Sequence, residues 1–235
     1  DQNTGGGTPL SQIGKDPKPT DTVSSIIQKD PVVAPVAQGC SNVKLLEPKA
    51  MLGKLSADQA KCLEGELAKA GRQTEKNKIS RVLMTNAWSS GNKKGWEKLV
   101  KRHLDEIDRS DPDICYKYAL HLARKGTGSS YGVIRWSDVA LENRTVWTGS
   151  TYTNRVNSLY KLKAAAAQKL WQSSENKYTE DASDANLTNR DKTRNMTKVY
   201  AREWYEYAKS AGKDSSSARA LCISAAGTED YCEGG

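Results

Sequence analysis

Between Ser56 and Ser224 apolar side chains recur every three or four residues, and nowhere do they alternate in twos for long enough to make a strand. A chain patterned in this way must bury one stripe of each successive helix against its neighbours. Trp96, Leu99, Val100, His103, Leu104 and Ile107 show it most clearly, at i, i+3, i+4, i+7, i+8 and i+11. The predicted fold is therefore all-α.

The boundaries follow from capping chemistry. Ser56 and Gln59 have the spacing of a capping box, ahead of a stripe of Ala60, Leu63, Leu67 and Ala70 that Gly71 ends. Ile79, Val82, Leu83 and Ala87 predict a second helix, stopped at Gly91. Asp111 is placed to cap a helix with Pro112 at its first position, and Cys115, Tyr118, Ala119 and Leu122 face inward before Gly126. Helical spacing returns over 131–147, over 153–172 with its Ala164–Ala167 run, and over 196–211. Asp214 can cap a last short helix reaching Ser224. Residues 174–190 are polar and read as a loop. Gly128 and Gly132 read as a turn, with Ser129 or Ser130 capping the helix after it. Short amphipathic helices joined by small turns stack as antiparallel pairs.

Residues 1–40 have a different character. Gly5-Gly6-Gly7, prolines at 9, 17, 19, 31 and 35, and a scarcity of large apolar residues predict a disordered arm or tether, with 41–235 as the helical domain. The chain opens on Asp1 rather than Met, which leaves room ahead of it for a secretion signal, a membrane-tethering lipoprotein leader or further protein. No apolar run approaches the ~18 residues that a transmembrane helix needs.

Five cysteines at 40, 62, 115, 222 and 232 form no C-x-x-C, which argues against structural zinc and thioredoxin-type chemistry. A Cys222–Cys232 bridge would pin the C-terminal tail. Cys40 and Cys62 stand where a bridge would tie the arm to the first helix, and Cys115 reads as a buried thiol. Two bridges imply an oxidising, periplasmic or secreted setting; five reduced thiols in a cytosolic protein are the competing reading.

The turns Ser90-Gly91-Asn92 and Arg109–Asp113 join segments that resemble tetratricopeptide-like and Sel1-like helical repeats. One unit is carried by Ala87, Trp88, Gly95-Trp96, Leu99, Ile107 and Asp111-Pro112-Asp113. A second is carried by Tyr118-Ala119, Leu122, Ala123, Gly126, Tyr131, Ile134 and Ala140-Leu141. The resemblance spans 80–145, with a looser echo over 153–211. It departs by a residue or two from the family's period of about 34, and Trp88 stands where the family prefers a small residue. What the resemblance implies is a stacked helical array.

Catalytic patterns are sparse. Gly128-Ser129-Ser130-Tyr131-Gly132 matches the nucleophile elbow G-x-S-x-G, but that motif works on a strand-to-helix turn with a later histidine. His103 and His121 both precede Ser130. His103 sits on an apolar stripe as a core residue would, and His121 reads as partly exposed. The acidic run from Asp105 to Asp113 lacks the glycine and terminal glutamate of a calcium loop. No phosphate-binding loop is present, and no cofactor or metal is expected.

The expectation is thus a non-enzymatic scaffold that binds a protein or peptide partner in a groove between helices. The net charge of +8 suits an acidic partner. With no Phe in the chain, six Trp and ten Tyr supply the aromatic contacts. Tyr118, Trp136, Tyr160, Trp171, Tyr200 and Trp204 are the candidates for partner contact, with the core as their other possible place. Nucleic-acid binding is the alternative, through Arg190, Arg194, Lys198 and Arg202 beside Tyr200 and Trp204, although Glu203 and Glu206 interrupt that face.

Overall fold

A computed structural model describes Cys40 and residues 42–234, and among these every regular element is helical. The arm read over residues 1–39 lies outside the described residues. Ten α-helices follow in order: α1 (Val43–Met51), α2 (Ala57–Lys69), α3 (Gln73–Ser89), α4 (Lys93–Arg102), α5 (Pro112–Ala123), α6 (Ser130–Glu142), α7 (Gly149–Glu180), α8 (Asp184–Ser210), α9 (Ser216–Ala226) and α10 (Asp230–Glu233). They pack in pairs. α3 lies with α4, α5 with α6 and α7 with α8; α6 also meets α7, α9 covers α8, and α1 and α2 flank α3.

Several ends form as their residues dictate. Ser56 Oγ accepts the Gln59 N–H at 3.1 Å while Gln59 Oε1 accepts the Ser56 N–H at 3.0 Å, completing the capping box of α2. Asp111 accepts from the Asp113 and Ile114 N–H groups, with Pro112 at the first helical position of α5. A π-turn over His103–Ile107 follows α4, closed by the Asp108 N–H donating to His103 O. It keeps His103 and Leu104 facing the interior.

Four expectations need correction. Helices begin before Ser56: α1 carries an internal Pro48, and only Leu46 and Ala50, one turn apart, are buried along it. Two contacts with the body hold this weakly patterned helix. Cys40, 2% exposed, is bonded to Cys62 of α2, so it belongs to the body rather than the arm. At the other end Gly53 (φ 66°) presses on Ser89 and Ser90, where a Cβ would stand 2.5 Å from the Ser90 nitrogen.

The second correction concerns 174–190, which is helix on both sides of a short break at 181–183. Hydroxyls there and just beyond are satisfied by their own helices: Ser174 Oγ donates to Leu170 O, Thr193 Oγ1 to Asn189 O and Thr197 Oγ1 to Thr193 O, each at 2.9 Å. Asn189 Nδ2 then donates to Ser174 Oγ across the pair. Small buried hydroxyl residues let α7 and α8 approach closely, so polar composition here encodes a helix seam. Third, Trp147 lies outside any helix; it is buried, and its indole N–H donates to Asp113 Oδ1 at 2.8 Å. Fourth, neither Ser129 nor Ser130 caps α6 with its side chain, and Ser130 is its first, buried residue.

Cys222 and Cys232 are bonded and tie α9 to α10, while Cys115 is a buried thiol. Burial, with the Asp111 and Asp108 charges, pushes that thiol up to about 12.

Candidate functional site

Helices α3 and α5 run in the same direction. Arg81 pairs with Asp111 and Asp113 at the start of α5, while Trp88, two turns on, reaches α5's last turn through Trp96 and His121. Each presents an i, i+3, i+4, i+7 stripe to the same cleft: Arg81, Met84, Thr85 and Trp88 from α3; Lys117, Leu120, His121 and Arg124 from α5. Trp96 and Ile114 line it between them. Its volume is about 310 Å³. A second groove of about 260 Å³ between α1 and α3 shares Arg81 and Thr85 with it, so the two run on as one trough.

The floor is dry and the rim is charged. Trp96 and Ile114 are each 4% exposed and Met84 2%, whereas Trp88 stands 46% exposed. Trp88 meets Trp96 edge-on at 4.9 Å between centroids, and Trp96 meets His121 in the same manner at 5.0 Å. Half of a large aromatic face therefore stays open above a packed one, the arrangement of an anchor pocket. Arg81 is held by Asp111 at 2.6 Å. Lys117 and Arg124 are exposed and have no carboxylate partner among the described residues. Glu97 is surrounded by Lys125, Lys101 and His121. The hydrogen bond from Lys125 is the chief cause that brings its carboxyl down to about 2. The rim is cationic.

The six aromatics expected at the partner surface lie elsewhere. Tyr118, Trp136 and Trp204 are buried, Tyr160 and Tyr200 are half-buried against the core, and Trp171 is half-buried beneath Arg194. Tyr118 and Trp136 do come together, 5.9 Å apart, beneath α5 and α6. Tyr160 and Tyr200 flank the buried ammonium of Lys163. The indole N–H groups of Trp171 and Trp204 are buried without an acceptor among the described residues.

The basic row of α8 is engaged within the chain. Arg190 pairs with Asp191 and Glu175 and lies over Tyr178; Arg194 donates to Ala225 O and lies over Trp171. Lys198 covers Tyr231, and Arg202 holds Glu206 and Gly234 O. Arg194, Lys198 and Arg202 fasten α9 and α10 to α8, and Arg190 ties α8 to α7.

Sequence reasoning missed the trough residues, although Trp88, a large aromatic where the repeat pattern prefers a small residue, was the available signal. It also missed a Ser80, His103 and Asp111 array. His103 Nδ1 lies 3.1 Å from Ser80 Oγ, and its Nε2 lies 3.1 Å from Asp111 Oδ2. An ionised Asp111 only accepts, so Nε2–H is the donor. These are the residue types of a hydrolytic triad, yet Ser80 and His103 are 0% exposed and Asp111 2%, so no substrate carbonyl can reach the hydroxyl. The array joins α3, the π-turn and α5 as a buried polar strut. No hydrogen bond links Ser130 to a histidine, and no three His, Cys, Asp or Glu side chains converge on a metal position, among the described residues. No protein-family model matches the chain, and comparison with curated proteins and with solved structures likewise gives no match.

Proposed function

We propose that this chain is a non-enzymatic helical scaffold that binds a protein or peptide partner in the trough along α3, outside the reducing cytosol. The observation carrying this reading is Trp88, half open above the Trp96 floor and flanked by Lys117 and Arg124, which have no carboxylate partner among the described residues. A partner segment placing an apolar side chain against Trp88 and carboxylates toward Lys117 and Arg124 would complement the trough in shape and charge. The two disulfides support an extracytoplasmic setting.

Titration of the full chain against labelled short peptides, at low and moderate salt, tests the reading. Peptides combining a Leu, Tyr or Trp with neighbouring Asp or Glu should bind. Their basic counterparts and single-stranded oligonucleotides should not. Trp88→Ala and Arg124→Glu should each weaken binding about tenfold or more, the loss typical of a contact hot spot. Equal affinity for acidic and basic peptides, or binding indifferent to Trp88→Ala, would refute it.

A further inference from the structure

Three of the six large apolar side chains exposed among the described residues belong to α1 and the residue after it: Leu45 at 68%, Met51 at 69% and Leu52 at 65%. Leu45 and Leu52 share one side of the helix, and Met51 stands at its edge, where it also lines the groove between α1 and α3. Leu45, Pro48, Lys49 and Leu52 fall at i, i+3, i+4 and i+7, and Met51 and Lys44 adjoin them. Leu46 and Ala50 occupy the opposite side and are buried. Lys44, Lys49 and Lys54 are all exposed, and none of them has a carboxylate partner among the described residues. Glu47, the one acid of α1, turns toward α3 and pairs with Lys78 at 3.6 Å. The outward face is therefore aliphatic, edged by lysine and without negative charge.

We propose that this face of α1, centred on Leu45 and Leu52, docks on an anionic lipid surface beside the trough, whose α1 wall it meets at Met51. Its composition argues for lipid over protein. Protein interfaces favour Trp, Tyr and Arg and are poor in Lys, whereas this face has no aromatic and the charges edging it are lysines. Lysine stems lie along an acyl boundary while their ammonium groups stay among the phosphates. An amphipathic helix lying in the interface plane combines shallow apolar burial with this charge attraction. The Cys40–Cys62 bond and the Gly53 contact with the end of α3 fix α1 to the body, so the face is presented as a rigid platform.

Co-sedimentation of the full chain with phosphatidylcholine vesicles, with and without phosphatidylglycerol, provides the test. Binding should require phosphatidylglycerol and fall as salt rises. Each Lys→Gln change at 44, 49 or 54 should weaken it about fivefold, the equivalent of one lysine near a charged surface. Leu45→Asp combined with Leu52→Asp should abolish it, with circular dichroism and melting temperature unchanged. Lys177→Gln with Lys192→Gln, exposed on α7 and α8, should leave binding intact. Four results would overturn the proposal: no binding at low salt, equal binding to neutral vesicles, survival of binding in the triple lysine variant, or an equal loss in the Lys177/Lys192 variant. So would light scattering that showed the full chain dimerising and Leu45→Asp abolishing the dimer, since the face would then join two copies.

Discussion

Asp111 is bound from several directions at once. Its side chain accepts from Arg81 at 2.6 Å, from His103 at 3.1 Å, and from the Asp113 and Ile114 N–H groups. Burial alone would raise its carboxyl, but the His103 hydrogen bond, the Arg81 charge and the Ile114 N–H together hold it below the usual carboxylate range. Asp113 follows the same balance: burial raises it, and the Trp147 indole, Arg155 and Arg81 outweigh that effect. A carboxyl depressed in the folded state binds its proton more readily when the chain unfolds. Its stabilisation is thus complete above the ordinary carboxylate value of about 4 and is lost as pH falls toward the folded-state value. Asp111→Asn should lower stability at neutral pH by about 3 kcal/mol, the low end for a broken buried ion pair, because Arg81 is 43% exposed and can rehydrate. Urea unfolding at pH 7 and at about pH 2 checks this, and the loss should be smaller at the lower pH. An equal loss at both values would mean that the Asp111 charge is not what stabilises the strut.

At the scale of elements, α7 and α8 show how a polar seam can be a strong one. Lys163 of α7, 7% exposed at its side chain, pairs with Asp138 of α6 at 2.7 Å and Glu203 of α8 at 3.0 Å. Burial works against its charge, and the hydrogen bonds it donates to Asp138 and Glu203 overcome that, leaving the ammonium above its usual value. Both carboxylates are about two-fifths exposed and can return to water if the lysine is lost. Lys163→Ala should therefore cost about 1–3 kcal/mol. Lys163→Met, which keeps the stem between Tyr160 and Tyr200, should cost less in the same thermal unfolding series. The helical state of 174–190 has its own test. Thr188→Pro removes an N–H inside α8 and should destabilise by about 3 kcal/mol, whereas a loop there would absorb the change within a few tenths.

Across the whole molecule the two disulfides close the ends of the helical stack. Cys40–Cys62 fastens α1 to α2, and Cys222–Cys232 fastens α10 to α9, at sequence separations of 22 and 10. Replacing Cys222 and Cys232 by Ser should lower stability by about 2–3 kcal/mol, by loosening of the unfolded-state constraint on a short loop. Thiol counting adds a check on the redox state. The folded chain should give no reactive thiol, because the buried Cys115 is pushed up to about 12. Unfolding without reductant should expose one thiol, and unfolding with it five. Any higher count before reduction would mean that the bridges are absent.

Some of this architecture is local, and the sequence by itself determined it. Helical periodicity, the Ser56–Gln59 box, the Asp111-Pro112 cap, the inward place of His103 and the proximity of Cys222 to Cys232 each depend on residues within a few turns of one another. Backbone sterics and side-chain spacing express such information directly. The rest is contact between segments far apart in the chain. Lys163 looks like any surface lysine until Glu203, 40 residues later, closes over it, and Arg194 looks like a nucleic-acid contact until Ala225 accepts its hydrogen bond. α1 is too short and too weakly striped to declare itself, and it depends on α3 and the bond to Cys62. The trough exists because α3 and α5 turn matched stripes toward one cleft. Only the tertiary structure decided these features, because the solvation of a side chain depends on which distant helix arrives to cover it.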